Sequence, residues 1–434
     1  MFLLREFYYS LWHVSNAEKT NTTMNNILSI ILLSATGSIL LYTWFLFPAC
    51  MLLMRHKHLG KREIARPVSA HKPHVSILIS AWNEADVIKQ RITNIAALEY
   101  PRESIAVFVG TDGCTDHTPD IVEACQKVMP LNITLCKHAH NRGKASVLID
   151  LVSRAVQQQP SEGTILVFTD ANTFFKADAI TILTQRLDDP DVGGVCGRLI
   201  FQQNSEQHHE QPEQTYWSWE TKLKEMESYY DSCLGANGAI YAIRPTCFWY
   251  ALPTQAIIDD FVIGMKVRET GLRMIFEPNA IAYEDLPAPR DEWNRRVRIG
   301  TGAFQALCWC RSCLHPRYGR FALFFWSHKV LRWFTPHLII LFLISALLTL
   351  LAAGQAPLAL MATIAAAISI GLIPLLTYFI PVHSKARYNK YLAAWQHFIT
   401  MQAALFTGCI RFFRGNVAGH WKRTPRNITR DHAA

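Results

Sequence analysis

Apolar and polar positions along the chain fall into two regimes. Three long stretches carry no Asp, Glu, Lys or Arg: residues 20–54, 333–384 and 391–410. A bilayer-spanning helix needs about 20 predominantly apolar residues. The first stretch predicts one span over 27–54, after an N-terminal segment 1–26. The second predicts two, over 335–353 and 357–380, because Gly354-Gln-Ala-Pro357 reads as a turn between them. The third, 391–410, holds Trp395, Gln396, His397 and Gln402, and reads as either a span or a re-entrant helix.

Between the first and second stretches the pattern changes to short apolar runs alternating with helical spacing. His74-Val-Ser-Ile-Leu-Ile-Ser80, Ala106-Val-Phe-Val-Gly110, Ile133-Thr-Leu-Cys136 and Thr164-Ile-Leu-Val-Phe168 each read as buried strands. Helical spacing follows the first over 86–97, and the third through Val147, Leu148, Leu151 and Val152. Alternation of this kind predicts an α/β domain with a mostly parallel sheet covered on both faces, over 55–314. Ligands of such sheets bind beyond the carboxyl ends of the strands. Two strands end there in Thr-Asp, at Asp112 and Asp170, with Asn141-Arg-Gly-Lys144 between them. One such Asp would suit a helix cap; two with a Gly-Lys loop point to a nucleotide site, where carboxylates hold a ribose or base and a divalent ion. The loop is no Walker motif, since His138 stands where its first Gly belongs and Ala145 follows the Lys.

Composition sharpens the class. Of 434 residues, 50% are hydrophobic and 18% charged, which excludes a disordered or coiled-coil chain. The net charge of +9 sits mostly beside the apolar runs and forms no soluble basic patch, so no nucleic-acid partner is expected. Arg5 and Lys19 precede the first span; Arg55, Lys57, Lys61, Arg62, Arg66 and Lys72 follow it. Positive charge collects on the cytoplasmic side, so 55–332 is expected in the cytoplasm of a multi-pass inner-membrane protein. Met24 reads as an alternative start that sharpens this asymmetry, and the long first apolar run argues against a cleaved signal. The basic tail 411–434 lies outside if 391–410 spans and inside if it does not; an inside tail is the preferred reading.

The eleven cysteines are expected as free thiols. Cys308, Cys310 and Cys313 with His315 lack the spacing of a zinc knuckle and read as packing. Residues 202–214 read as a polar loop. Tyr216, Trp217, Trp219 and Glu220 read either as a sugar platform or as packing. Residues 315–334 alternate apolar and basic positions, as in an amphipathic helix at a membrane interface, which would set the active site at the lipid surface.

Taken in order, Ser80-Ala-Trp-Asn-Glu84, Thr111-Asp-Gly-Cys-Thr-Asp116, Asn141-Arg-Gly-Lys144 and Thr169-Asp-Ala-Asn172 resemble the family 2 glycosyltransferases. Gly235-Ala-Asn-Gly-Ala-Ile-Tyr-Ala-Ile-Arg244 resembles the acceptor-side loop and strand of that family, and Ile258-Asp-Asp-Phe261 its Glu/Asp-Asp-Phe motif. With flanking spans, the chain is similar to the membrane synthases of cellulose, chitin, hyaluronan and poly-N-acetylglucosamine. The resemblance implies a GT-A-like cytoplasmic domain and assigns roles. Asp112 would bind the uracil or ribose of a nucleotide-sugar donor, with Glu84 and Lys144 nearby. Asp170 would hold Mg²⁺ or Mn²⁺ on the diphosphate, and Arg295 and Arg298 would lie over the leaving nucleotide. Asp260 would be the general base, with Asp259, Asn237 and Gly238 on the acceptor side. One base opposite the leaving group implies inversion, hence a β-linked product from a UDP-α-sugar.

Three departures bear on the product. Asn172 replaces the second acid of the usual Asp-x-Asp. Arg295-Arg-Val-Arg298-Ile299 lacks the Gln and Trp of the usual Gln-x-x-Arg-Trp, which puts processivity in question. Asp259 stands where Glu is common. Trp421-Lys-Arg-Thr424 resembles a Trp-x-x-Thr element of the synthases. The acceptor is then a growing surface glycan or exopolysaccharide, or a membrane lipid glycosylated once; a non-catalytic scaffold is the remaining alternative. Three or four spans are few for an export channel, so export would require a homodimer or a partner.

Overall fold

The structure is a computed structural model that describes residues 24–58, 72–158, 163–202, 212–285, 292–372 and 387–415. Trp421-Lys-Arg-Thr424, residues 203–211 and residues 373–380 of the expected third span lie outside these. The chain divides into two compact units: residues through 48 with 331–406, and 49–330 with 407 onward.

The second unit is built on an eight-stranded sheet in the order β3-β2-β1-β4-β7-β6-β8-β5. The strands are β1 (Val75–Ala81), β2 (Ile105–Asp112), β3 (Asn132–His138), β4 (Ile165–Asp170), β5 (Phe174–Phe175), β6 (Val192–Gln202), β7 (Tyr241–Ile243) and β8 (Arg273–Asp285). Strands β1 to β4 pair in parallel and coincide with the four apolar runs of the sequence. Every residue of β1 and β2 is buried, as expected where helices cover both faces. Strand β7 is antiparallel to β4 and to β6, β8 is parallel to β6, and β5 is antiparallel to β8. The sheet is therefore parallel in its first half and mixed in its second.

Helices α1 (Ile88–Ala96), α2 (Thr118–Val128) and α3 (Lys144–Gln158) return the chain between the parallel strands. Their apolar stripes face the sheet: Ile88, Ile92 and Ile95 on α1, and Val147, Leu148, Leu151 and Val152 on α3. Burying each such side chain contributes about 1.5–3 kcal/mol. Three of these strands thus deliver loops to one edge, after Ala81, Asp112 and His138, and β4 delivers a fourth after Asp170. Helices α4 (Ala179–Arg186), α5 (Pro212–Tyr230), α6 (Asp259–Glu269) and α7 (Glu292–Trp309) complete the unit's longer helices. Beyond them the chain forms short 3₁₀ turns, α8 (Arg320–Phe324) and a π-turn, Phe325–Val330. Phe321, Phe324, Phe325 and Val330 are buried there, whereas Leu323 and Trp326 are exposed.

Among the described residues, two helices are long and apolar enough to cross a membrane, Met24–Met54 and Thr335–Ala352; a shorter apolar helix spans Ala356–Ile370. Trp44 Nε1 donates to Thr335 Oγ1 at 3.1 Å, and the Trp44 and Phe398 rings meet edge-on at 5.1 Å. Thr349 Oγ1 donates to Ser29 Oγ at 3.1 Å. The stretch expected at 391–410 falls within one helix, Arg387–Phe413.

Candidate active site

The edge loops are hydrogen-bonded to one another. Asn83, at φ 57°, accepts from Thr115 N at 2.8 Å and donates to Thr115 Oγ1 at 3.0 Å. Asp116 accepts from Ala85 N at 3.1 Å and from Thr118 N at 3.0 Å. The half-buried Glu84 stands in this group, its backbone N donating to Thr118 Oγ1 at 2.8 Å. Asp112 is fully buried, and its two oxygens accept from Arg142 N and Gly143 N at 2.8 Å each. It fastens the Asn141–Lys144 loop to the end of β2. Gly113 sits in the left-handed region at φ 64°, and a Cβ there would lie 2.5 Å from Asn141 N, so only glycine lets the two loops close.

That fastening aims Lys144 across the sheet. Its Nζ donates to Asp170 Oδ1 at 2.6 Å and lies 3.8 Å from Asp259 Oδ2. Burial alone would lower the ammonium's pKa, but Asp170, Asp259 and Asp260 outweigh it and raise it. The Gly238 backbone approaches from the far side: a Cβ at Gly238 would lie 3.2 Å from Asp170 Oδ2, 3.4 Å from Lys144 Nζ and 3.5 Å from Asp260 Oδ2. Three charged side chains from β4, α3 and α6 thus converge on one glycine.

Asp259 is buried and Asp260 half-buried at the start of α6. Asp260 Oδ1 accepts from Phe261 N at 2.8 Å, and its backbone oxygen from Ala236 N at 3.4 Å. Burial raises both carboxyls above the ordinary range, against the opposing pull of Lys144. A carboxylate whose pKa is raised binds an incoming proton more strongly than an ordinary one, which suits a general base. Asn237 spends its amide inside the protein, donating to Gly197 O at 2.8 Å and accepting from Ile240 N at 3.0 Å, which holds the Gly235–Gly238 loop on β6. Arg295 is half-buried and Arg298 exposed on α7; Arg298 lies within electrostatic range of Asp259, Asp260 and Asp170.

For a divalent ion, the donor set is one carboxylate, Asp170, with Asn172 two residues on. The Asn172 Nδ2 has no hydrogen-bond partner among the described residues. No group of three or more His, Cys, Asp or Glu among the described residues could hold an ion unaided. A hard cation bound through one or two carboxylates completes its shell with phosphate oxygens and water. Asp170, on which an ammonium already rests, fits that mode of binding and no closed protein cage.

Several members of the site carry no motif. Arg91, fully buried, donates to Thr169 Oγ1 at 3.1 Å and stacks 4.0 Å over the Phe175 ring. Burial pushes its guanidinium down to about 9, with Asp170 pulling the other way. Lys224 on α5 is buried, and its charge acts on Asp260. Of the four residues expected as a sugar platform or as packing, Trp219 is exposed and Glu220 is buried. All eleven cysteines are unpaired. Cys310 and Cys313 are buried, the latter's thiol directed at Glu269 Oε1 at 3.5 Å and pushed up to about 12 by burial.

Residues 165–408 match the family described as glycosyl transferase family group 2, and residues 76–247 match glycosyl transferase family 2. A poly-β-1,6-N-acetyl-D-glucosamine synthase of Staphylococcus aureus is 23% identical over 241 residues, covering 54% of this chain and 55% of that protein's length. A probable glycosyltransferase, YdaM, of Bacillus subtilis is 26% identical over 293 residues, covering 64% of this chain and 66% of its own. Among solved structures, a mannosyltransferase from Pyrobaculum calidifontis, in complex with GDP-Man and Mn²⁺, superposes with a TM-score of 0.63 at 22% identity. The superposition covers 90% of this chain and 99% of that one, which establishes a shared GT-A-like fold.

Proposed function

Because the chain belongs to the family 2 glycosyltransferases, we propose that it is an inverting enzyme of the bacterial inner membrane. In this reading it moves a sugar from a UDP-sugar to a growing β-linked glycan on the cytoplasmic side. The observation that carries the proposal is the convergence of Asp170, Lys144 and Asp260 around the Cβ-less Gly238. A donor diphosphate beside Asp170 and Lys144 would present its anomeric carbon toward Asp260, with no side chain at Gly238 to come between them.

In this mechanism Asp260 takes the proton of the acceptor hydroxyl as the oxygen attacks the anomeric carbon. The bond to the diphosphate breaks on the opposite face, which inverts the configuration. Lys144, Arg295 and Arg298 offset the charge growing on the leaving diphosphate. Mg²⁺ or Mn²⁺ held by Asp170 would supply further stabilisation of that charge. Glu84, just past the end of β1, would receive the nucleoside, and Asp112, buried with both oxygens on the Asn141–Lys144 loop, would hold that loop beside it. The name of one relative, a poly-β-1,6-N-acetyl-D-glucosamine synthase, puts N-acetylglucosamine first among the sugars to test. A second reading, one addition to a membrane lipid, is favoured by Ile299 where the polymer synthases have Trp.

The test uses washed membranes carrying wild type or Asp260→Asn, supplied with radiolabelled UDP-sugars and Mg²⁺ or Mn²⁺. Label entering lipid-free, high-molecular-weight material only with wild type supports polymer synthesis. Label confined to an organic-extractable band supports the lipid reading. Equal incorporation by the two proteins with every donor overturns the assignment of Asp260.

A further inference from the structure

Helix α5 carries Glu220, Lys224 and Glu227 at helical spacing, a pattern that would ordinarily face water. All three are buried, and Glu227 completely. The partner that makes this tolerable is His328, itself fully buried, from the π-turn Phe325–Val330. Its Nδ1 bonds a Glu227 oxygen and its Nε2 a Glu220 oxygen, the latter at 3.0 Å. Lys329 Nζ donates to the other Glu220 oxygen. Buried carboxylates are costly unless paired and hydrogen-bonded, and single π-helical turns are frequent at functional sites.

What this cluster holds lies beside the reacting groups. The second Glu227 oxygen accepts from Leu234 N at 3.2 Å, the residue that enters the Gly235–Gly238 loop. The loop then bonds Asp260 through Ala236 N, and Gly235 abuts Phe261 so closely that a Cβ would lie 2.4 Å from its ring. The π-turn also reaches that ring directly, with the Phe325 and Phe261 centroids 6.2 Å apart. Two separate contacts therefore run from one turn to the two sides of the Gly238–Asp260 gap.

We propose that the Glu220–His328–Glu227 cluster is a positioning device for transfer, with His328 setting Glu227 so that the Gly235–Gly238 loop stands in register with Asp260. The inference rests on the glycosyl-transfer reading above. It predicts a split between chemistry and donor binding, because the cluster touches the acceptor loop and not the Asp112–Lys144 side.

The experiment uses full-length protein in lipid nanodiscs, with UDP-N-acetylglucosamine first and the other UDP-sugars after it. Turnover is followed by UDP release and donor binding by titration with UDP. Glu227→Leu and His328→Leu should lower kcat by about a hundredfold, the loss that a misplacement of roughly 1 Å can cause. Donor KM and UDP affinity should stay at wild-type values. Glu227→Gln, whose amide oxygen can still accept from Leu234 N, should recover most of the rate. Unchanged kcat in folded leucine variants overturns the proposal, as does parallel loss of kcat and UDP affinity with Gln no better than Leu. If the leucine variants do not fold, His328→Gln decides: a fall in kcat at constant donor KM supports the device, and a wild-type kcat overturns it. A wild type inactive with every donor would instead remove the transfer reading itself.

Discussion

Asp260 is the side chain on which the proposed chemistry turns, and its surroundings make two measurable statements. General-base catalysis contributes about 10²–10⁴-fold, so Asp260→Asn should lower kcat by that order while UDP still binds. UDP release and UDP titration on the same preparation check both halves. The second statement concerns pH. Burial raises the Asp260 carboxyl above its ordinary value, which for an unperturbed Asp is about 3.9. The base form therefore accumulates only as pH rises past that raised value, and kcat/KM should fall as pH drops through it. Lys224 works in the opposite sense, its charge lowering the Asp260 pKa. Lys224→Met should accordingly move the acid limb of the kcat/KM profile to higher pH. A limb that stays in place would mean that the Lys224 charge does not reach the base.

At the scale of the elements, the decisive joint is the one between β2 and the loop leading to Lys144. Asp112 accepts two backbone N–H groups there. In Asp112→Asn one oxygen becomes a donor facing a donor, a loss of about 1–3 kcal/mol. For a domain of this size that is a fall in Tm of roughly 2–4 °C per kcal/mol, and donor KM should rise because Lys144 loses its fixed approach. Thermal melts with and without UDP measure both. The strands around this joint were legible because each is one apolar run, and all four lead into motif loops at the ligand-binding edge. Strands β6 and β8 were not: Gly193, Gly194 and Gly197 dilute the apolar pattern of β6, and Pro278 interrupts β8 where the pairing shifts register. The site divides in the same way. Asp170, Lys144, Asp259, Asp260 and Gly238 announce themselves by motif order, whereas Arg91, Lys224, Glu227 and His328 sit within patterns that look like solvated or interfacial faces. Only the packing of distant segments reveals their burial, and no local periodicity encodes that.

For the whole molecule, the claim with the widest consequence is the side of the membrane on which the sheet unit works. A nucleotide-sugar donor is a cytoplasmic metabolite in the proposed reading, so a catalytic unit on the other face could not be supplied. Six basic residues follow the first apolar stretch within 55–72 against two before it, and such an imbalance retains the richer side in the cytoplasm. Cys308, at the end of α7 in the sheet unit, is exposed. Cys310 and Cys313 beside it are buried. A membrane-impermeant maleimide applied to intact spheroplasts should therefore leave Cys308 unlabelled, and the same reagent should label it in inside-out vesicles. Cys308→Ser identifies the band. Labelling in intact spheroplasts would turn the sheet unit outward, separate it from its donor and overturn the proposed topology. Protection in spheroplasts with labelling after inversion would fix the cytoplasmic side for Asp260 and Lys144 together, because one continuous sheet unit holds them with Cys308.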